Sequence, residues 1–319
     1  MKTLTGGRQT TIESEIVLTG IGVHSGKEAS VILHPAEADT GWVFLVPNEA
    51  GKLSCIPADY RWVSNTQLCT ILSDGNGATV STVEHLLAAL RGMNIDNVEI
   101  EINGGEMPIL DGSAAPFVEA IDEVGIRVLE EPRRYIKILK TIRYEEANGS
   151  FAELSPYNGS RFDVEIDFES PVIGRQRMDV DLTPHVFRHE ISRARTFGFA
   201  KDVVKLNAIG LARGSSLENS VGIDEDGIMN PEGLRFSDEF VRHKTLDAVG
   251  DLALAGAPIL GAFRSVRGGH RINTLMVKAL YENRSSWTYV EAGAPRYREI
   301  GHAEIGVALA QPAFAADRA

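Results

Sequence analysis

The chain has 319 residues, of which 43% are hydrophobic and 24% are charged, and its formal net charge is −12. This composition is typical of a globular protein with a sizeable core, and the acidic charge argues against nucleic acid as a partner. The two cysteines, Cys55 and Cys69, form no CxxC pair, which argues against a disulfide framework or a zinc ribbon and fits a reducing compartment.

The sequence gives no sign of export or of insertion into a membrane. The N-terminal segment, MKTLTGGRQT, lacks the apolar stretch of a signal peptide. No run of about 18 apolar residues occurs, so no membrane span is expected. These two observations predict a cytoplasmic protein.

The first predicted element is a helix at residues 81–93, STVEHLLAALRGM. Ser81 and Glu84 fit a capping box, S-x-x-E, and taken alone the segment favours that interpretation. Alternatively, His85 is a metal ligand and Glu84 is a base that activates water. The two side chains point about 100° apart, so both could face one cleft at the start of the helix.

Four further elements follow in chain order and define the fold class. Residues 97–103, NVEIEIN, and 161–169, RFDVEIDFE, alternate apolar and polar residues, which predicts half-buried strands of mostly antiparallel sheets. Helices are predicted at 114–125 and at 183–194, the second with a threonine N-cap followed by proline. The charged segment 130–135, EEPRRY, lies between the two halves and marks the natural boundary.

Residues 197–231 are rich in Gly, Ser and Asn and are predicted to form an insertion with a short helix at 200–207. Residues 40–68 are its expected counterpart in the first half. We therefore predict an α+β protein with a first domain at 1–130 and a second at 131–319, each an antiparallel sheet covered by two helices and each with one insert.

A helix at 237–255, with Ser237 as a plausible N-cap, carries an unusual set of polar residues. His243, Asp247 and Asp251 spread over roughly 80° of one face, on an arc that also carries apolar residues. Such an arc places the acids away from free solvent, and a buried charge must be paired or bind a metal.

Two explanations for this helix stay open at this point. A solvated polar stripe, or a histidine paired with a carboxylate, would explain the residues without any function. Alternatively, the i, i+4 spacing lets His243 and Asp247 converge on one ion, as in HExxH helices. Asp251 is one turn too far for that ion and could be the partner of another histidine.

The last candidate is RGGH, residues 267–270, where two glycines let the backbone approach another group closely before His270. A turn that ends in an incidental histidine explains the segment equally well. The sequence contains no P-loop, no GxGxxG fingerprint, no HExxH and no GxSxG elbow, which disfavours the corresponding nucleotide sites and hydrolases.

Five segments stand out when the chain is taken as a whole: STVEHLLAAL, MPILDGSAAPF (107–117), SRARTFGF (192–199), GLRFSDEFVRHKTLDAVGDLALAG (233–256) and RGGH. Together and in this order, they closely resemble one family, the UDP-3-O-acyl-N-acetylglucosamine deacetylases, which are zinc amidases of lipid A synthesis in Gram-negative bacteria. The resemblance covers about residues 8–305. It implies two β-α-α-β domains that form a layered sandwich, with the helices between two antiparallel sheets and with the second insert as a passage for the acyl chain.

The resemblance also implies a role for individual residues. The implied metal ligands are His85, His243 and Asp247. The implied general base, general acid, charge partner of the acid and oxyanion donor are, in that order, Glu84, His270, Asp251 and Thr196. The implied substrate contacts are Lys244, Phe197, Phe199, Arg267 and Leu68. The family often has lysine in place of Arg267, and either cation could meet a phosphate.

The implied reaction is hydrolysis of the N-acetyl group, with acetate and a free amine as products. One zinc ion per chain is expected, although two imidazoles and a carboxylate also suit Fe²⁺. The expected partner is the small-molecule substrate, with no nucleic acid, and the chain is expected to be a monomer. Two alternatives stay open: an amidase for another N-acetyl sugar, and a non-catalytic, metal-stabilised protein that binds sugar nucleotides.

Overall fold

The computed structural model of the chain describes residues 7–48 and 51–292. The end of the predicted second domain and of the resemblance, and part of the N-terminal segment, lie outside these residues. The strands are β1 Arg8–Ile12, β2 Ile16–Ile21, β3 Glu28–Pro35, β4 Trp42–Pro47, β5 Leu53–Pro57, β6 Val63–Asn65, β7 Ile71–Ser73, β8 Thr79–Ser81, β9 Val98–Ile102, β10 Ile126–Pro132, β11 Arg134–Ile138, β12 Ile142–Glu145, β13 Phe151–Ser155, β14 Ser160–Asp167, β15 Arg175–Asp181, β16 Phe197–Phe199, β17 Val221–Ile223, β18 Ile259–Val266 and β19 Trp287–Glu291. The α-helices are α1 Glu84–Gly92, α2 Ala115–Val124, α3 Pro184–Val186, α4 Ala200–Ala208, α5 Glu239–Ala253 and α6 His270–Glu282.

Two large sheets, one in each half of the described chain, form the framework. The first has the strand order β2-β3-β9-β4-β5. The second has the order β12-β13-β18-β11-β19, with β14 and β15 joined through β18. The predicted strands at 97–103 and 161–169 are confirmed as β9 and β14, and their apolar residues are buried as the alternation predicts. The α+β fold class is confirmed.

The pairs in the two large sheets are mostly antiparallel, as predicted, but each sheet also contains at least one parallel pair. β4 pairs with β9 in parallel, and β18 pairs in parallel with both β11 and β14. Parallel neighbours need a crossover connection, and α1 lies in the connection from β4 to β9 while α5 lies in that from β14 to β18. The alternation of residues reports which face of a strand is buried, and it carries no information on strand direction.

The predicted helices at 81–93, 114–125, 200–207 and 237–255 are confirmed as α1, α2, α4 and α5. The helix predicted at 183–194 is shorter: α3 is followed by one π-helical turn, Phe187–Ile191. Its predicted N-cap is confirmed, because the Thr183 hydroxyl accepts a hydrogen bond from the Val186 amide at 3.2 Å. Helix α6 was not predicted, although its buried side chains recur with the helical period of 3.6 residues.

The N-cap predicted for α5 is wrong by one residue. Asp238 occupies that position, and its side chain makes no capping hydrogen bond. Its carboxylate instead pairs with Arg242, one turn into the helix. The start of α5 is therefore held by an i, i+4 ion pair in place of a side-chain capping bond.

The two predicted inserts differ in how they relate to the large sheets. In the second, at 197–231, β16 and β17 form a parallel pair joined through α4. In the first, at 40–68, β4 and β5 belong to the five-stranded sheet, and β6 belongs to a small sheet with β7 and β8. Within the described ranges, no helix has the length and apolar character needed to cross a membrane.

Helices α1 and α5, one from each half of the chain, are in direct contact. Gly250 makes the contact possible, because a Cβ atom at this position would overlap the carbonyl oxygen of Glu84. Helices α5 and α6 pack on the second large sheet and α2 packs on the first. The contact between α1 and α5, called the α1–α5 crossing below, places the first turn of α1 against the middle of α5.

Candidate metal centre and active site

Three buried side chains converge where α1 crosses α5. Asp247 Oδ1 lies 3.4 Å from His243 Nε2 and 3.7 Å from His85 Nε2. One potential ligand atom from each residue lies within 4.8 Å of the other two. His243 and Asp247 are one turn apart on α5, so they share a face, and His85 reaches them from the first turn of α1.

The chemistry of this cluster fits a divalent cation. Asp247 Oδ1 is buried and has no hydrogen-bond partner among the described residues. Burial and the neighbouring His243 lower the pKa of His85 to about 3, and burial also lowers the pKa of His243. Neutral imidazoles beside an ionised carboxylate are the ligand form of these residues.

Further contacts orient two of the three side chains. His243 Nδ1 lies 3.1 Å from the carbonyl oxygen of Ala194, which leaves Nε2 to face Asp247. Lys244 Nζ donates to Asp247 Oδ2 at 2.7 Å. Burial would raise the pKa of Asp247, but His243 and Lys244 outweigh it and hold the pKa below its usual range. Such outer contacts typically fix the ligands of a metal site.

Glu84 does not form the capping box that its sequence context favoured. Helix α1 begins at Glu84 itself, and Ser81 lies in β8, where its hydroxyl donates to the carbonyl oxygen of Gly105 at 3.1 Å. Glu84 Oε2 instead accepts a hydrogen bond from the Thr70 amide at 3.0 Å. Burial raises the pKa of this carboxyl to about 7, which suits a group that takes up a proton near neutral pH.

His270 stands opposite Glu84 and is paired with Asp251. His270 Nδ1 lies 2.9 Å from Asp251 Oδ2, and His270 Nε2 lies 3.8 Å from Glu84 Oε1. Burial would lower the pKa of His270, but the carboxylates of Asp251 and Glu84 outweigh burial and raise it to about 9. The ring is therefore held protonated at neutral pH, with Nε2 as the donor that faces Glu84.

A cavity of about 390 Å³ opens on these groups. Most of the predicted substrate contacts line it, together with the predicted oxyanion donor: Leu68, Thr196, Phe197, Phe199 and Lys244. Asp251 lies behind His270 and does not line it. Arg267 does not line it either, because its exposed guanidinium donates to the carbonyl oxygen of Asn148 at 2.8 Å. Its contact with a nucleotide stays a prediction.

The part of the cavity wall beside β16 and α4 is apolar, and we call it the apolar arm. Phe197 packs edge-on against Phe168, with ring centroids 5.7 Å apart, and Val203 and Leu206 of α4 complete the wall. Phe168 and His24 also line the cavity, although no role was predicted for them. Strand alternation marks Phe168 as buried, and nothing in the spacing of the sequence marks either residue as part of a cavity.

Comparison with known proteins is consistent with this geometry. The model of the family described as UDP-3-O-acyl N-acetylglycosamine deacetylase matches residues 9–282. Relatives named UDP-3-O-acyl-N-acetylglucosamine deacetylase from Brucella ovis and Brucella abortus strain 2308 are 52% identical over 285 residues. A relative of the same name from Brucella melitensis biotype 2 is 51% identical over the same length. Each alignment covers 89% of this chain and 99% of the relative.

Proposed function

The chain belongs to the family of UDP-3-O-acyl-N-acetylglucosamine deacetylases, and we propose that the buried cluster at the α1–α5 crossing carries out the deacetylation. The enzyme hydrolyses the N-acetyl group of UDP-3-O-acyl-N-acetylglucosamine in lipid A biosynthesis and releases acetate and a free amine. The observation that carries the assignment of the site is the buried Asp247 Oδ1, which has no hydrogen-bond partner in the described part of the chain. It lies between two neutral imidazoles, beside the Glu84–His270 pair.

His85, His243 and Asp247 are the residues that would hold the metal, and zinc is the proposed ion. A divalent ion bound there lowers the pKa of bound water and polarises a carbonyl oxygen. Two neutral imidazoles and one carboxylate also suit Fe²⁺, so the donor set alone does not select zinc. Metal analysis of the purified protein, with reconstitution of the apoprotein by each ion, tests this choice.

The proton transfers are assigned to Glu84 and His270. Glu84, as the carboxylate, takes a proton from the attacking water, whose oxygen forms the new bond to the acetyl carbon. The hydroxyl of Thr196 donates a hydrogen bond to the developing oxyanion. His270, held protonated by Asp251, gives its Nε2 proton to the leaving nitrogen as the C–N bond breaks. The products are acetate and the amine of the sugar.

The substrate is proposed to lie along the cavity, with the acyl chain in the arm lined by Phe197 and Phe199 and with Leu68 at the wall. An apolar arm of this kind favours an acylated sugar over an unacylated one, because each buried methylene contributes about 0.8 kcal/mol. Lys244 and Arg267 are proposed to meet the anionic nucleotide. In a chain of net charge −12, local cations must supply that attraction.

The direct test is acetate release from UDP-3-O-acyl-N-acetylglucosamine and from UDP-N-acetylglucosamine, each with and without a chelator. Rapid release from the acylated substrate alone, abolished by the chelator and restored by zinc, is the expected result. Equal rates on both substrates would overturn the role of the apolar arm. Release that resists complete removal of metal would overturn the proposed centre.

The division of the chain into domains at 1–130 and 131–319 is also a proposal, supported by the separate sheets of the two halves. So are a monomeric state and a cytoplasmic location. Light scattering of the purified chain tests the first of these, since a mass of 34.7 kDa corresponds to one copy. Fractionation of cells that express the protein tests the second.

A further inference from the structure

Thr70, a fully buried residue just before β7, contacts both carboxylates of the proposed acid–base pair. Its amide donates to Glu84 Oε2 at 3.0 Å and its hydroxyl donates to Asp251 Oδ1 at 2.7 Å. We infer that Thr70 is a positioning residue of the deacetylation, which sets the base and the charge partner of the acid in one arrangement. This inference rests on the proposed roles of Glu84 and Asp251.

One of the two carboxylate oxygens of Asp251 accepts its hydrogen bond from Thr70. Oδ2 lies 2.9 Å from His270 Nδ1 and accepts a bond from Asn273 Nδ2, also at 2.9 Å. Oδ1 accepts from the Thr70 hydroxyl, its one donor among the described residues. Donors on both oxygens fix the plane of the carboxylate. Without the hydroxyl, the carboxylate can rotate, and Oδ2 then no longer keeps His270 in place.

The second contact of Thr70 fixes the base. Because Glu84 Oε2 is bonded to the Thr70 amide, Oε1 is the oxygen that faces His270 Nε2, 3.8 Å away. The Thr70 carbonyl also accepts from the amide of Val83, the residue before Glu84, at 3.5 Å. One residue therefore holds the first turn of α1 and, 181 positions away in sequence, the carboxylate on α5.

Thr70 is not among the residues that line the cavity, so it acts through its partners and not on the substrate. Its loss should therefore lower kcat and leave KM and metal content unchanged. A residue that only stabilises the fold would lower the fraction of active enzyme and leave kcat per metal-loaded chain intact. The split between kcat and KM at constant metal content separates the two roles.

The test is Thr70→Val, which keeps the amide and the side-chain shape and removes the hydroxyl. We expect kcat to fall about 10–100-fold, the scale for an outer hydrogen-bond partner, with KM and about one metal per chain retained. The separate variant Thr70→Ser, which keeps the hydroxyl, should retain most of the wild-type kcat. The matched control is Thr245→Val: this residue is equally buried, and its hydroxyl donates to the Val241 carbonyl inside α5, so kcat should not change.

A double-mutant cycle with Asp251→Asn decides whether the hydroxyl acts through Asp251. In the Asp251→Asn protein, which should itself have lost kcat, adding Thr70→Val should cost little more. A wild-type kcat in Thr70→Val, or a full additional loss in the double mutant, would overturn the inference while leaving the role of Asp251 intact. Full activity of Asp251→Asn alone would overturn the proposed acid pair and the inference with it. If Thr70→Val does not fold, Thr70→Ala takes its place in the same cycle.

Discussion

Helix α5 contributes to two buried groups of polar and charged residues, which differ in whether every polar atom has a hydrogen-bond partner. At the start of the helix, Glu239 is fully buried and pairs with Arg195, whose Nε donates to Glu239 Oε1 at 2.9 Å. The other guanidinium nitrogens of Arg195 bond Glu232 and the carbonyl oxygen of Gly233, and the amide of Arg235 donates to Glu239 Oε2. Every polar side-chain atom of this pair has a partner.

One turn further along lies the cluster of His85, His243 and Asp247, where the described residues do not satisfy every buried polar atom. Asp247 Oδ2 is paired with Lys244, but Oδ1 has no hydrogen-bond partner within the described chain, although it is equally buried. A bare buried carboxylate oxygen costs free energy that the neighbouring ion pair does not. A buried charge whose atoms are all paired needs no role beyond structure, whereas an unpaired one beside other ligand atoms indicates a site for a cation.

An unpaired buried atom is not enough without those other ligand atoms. Arg91 also has buried guanidinium nitrogens, Nε and one Nη, that lack hydrogen-bond partners among residues 7–48 and 51–292. Its guanidinium instead lies over the ring of Trp42, 4.8 Å from the centroid, where a cation–π contact offsets part of the loss. The metal assignment therefore depends on the convergence of three ligands and not on the unpaired oxygen alone.

The largest effect that we predict for a residue beside the cluster, but outside the ligand set, is that of His270→Ala. Its kcat should fall about 10²–10⁴-fold, because a positioned acid is lost, while KM changes little. Activity of the wild type requires ionised Glu84, with a pKa of about 7, and protonated His270, with a pKa of about 9. It should therefore fall on both sides of this interval.

In His270→Ala the fall in activity at alkaline pH should disappear, because that limb reports loss of the His270 proton. The limb at acidic pH, where Glu84 becomes protonated, should remain. Initial rates from about pH 5 to 10 measure both limbs. An unchanged alkaline limb in the variant would show that another group is the acid.

The second prediction concerns the satisfied pair. Arg195→Met should lower the free energy of unfolding by about 3–5 kcal/mol, because it leaves the Glu239 carboxylate buried and unpaired. In metal-free protein, Asp247→Asn should cost less, since the amide oxygen of Asn can still accept from Lys244 and its nitrogen replaces an oxygen that has no partner among the described residues. Urea unfolding of both metal-free variants measures the difference. Equal losses of unfolding free energy in the two variants would contradict the distinction between the Arg195–Glu239 pair and the Asp247 cluster.

The smallest effect is predicted for Lys244→Ala. Lys244 lines the cavity and is proposed to meet the anionic nucleotide, so we expect KM to rise about tenfold and kcat to fall less. The increase in KM should shrink as salt concentration rises, because screening weakens the attraction between an anionic nucleotide and the lysine. Steady-state kinetics at low and high salt test this. An unchanged KM would remove Lys244 from the substrate site.

Local periodicity predicted the elements that carry the site and not their pairing. The helical face of 237–255 and the alternation in 97–103 follow from residues within one element, so α5 and β9 could be predicted. The parallel pairs could not, because side-chain alternation is the same in parallel and antiparallel strands. Helix α6 was not predicted, because the two glycines before His270 indicate a turn.

The site divides in the same way. His243 and Asp247 lie one turn apart, so their i, i+4 spacing could be recognised in the sequence. His85, Glu84 and His270 were assigned through resemblance, since the sequence of each segment also fitted a simpler explanation. Thr70 had no signal at all, because its two carboxylate partners are 14 and 181 residues away. Contacts of that kind exist only after the chain has folded.

The metal content of two variants tests the central claim, that the cluster of His85, His243 and Asp247 is the metal centre and that His270 stands outside it. Wild type, His243→Ala and His270→Ala are purified under the same conditions, desalted and measured for bound metal per chain. We predict about one metal in the wild type and in His270→Ala, and close to none in His243→Ala. A metal-free His270→Ala, or a His243→Ala that keeps its metal, would contradict the account.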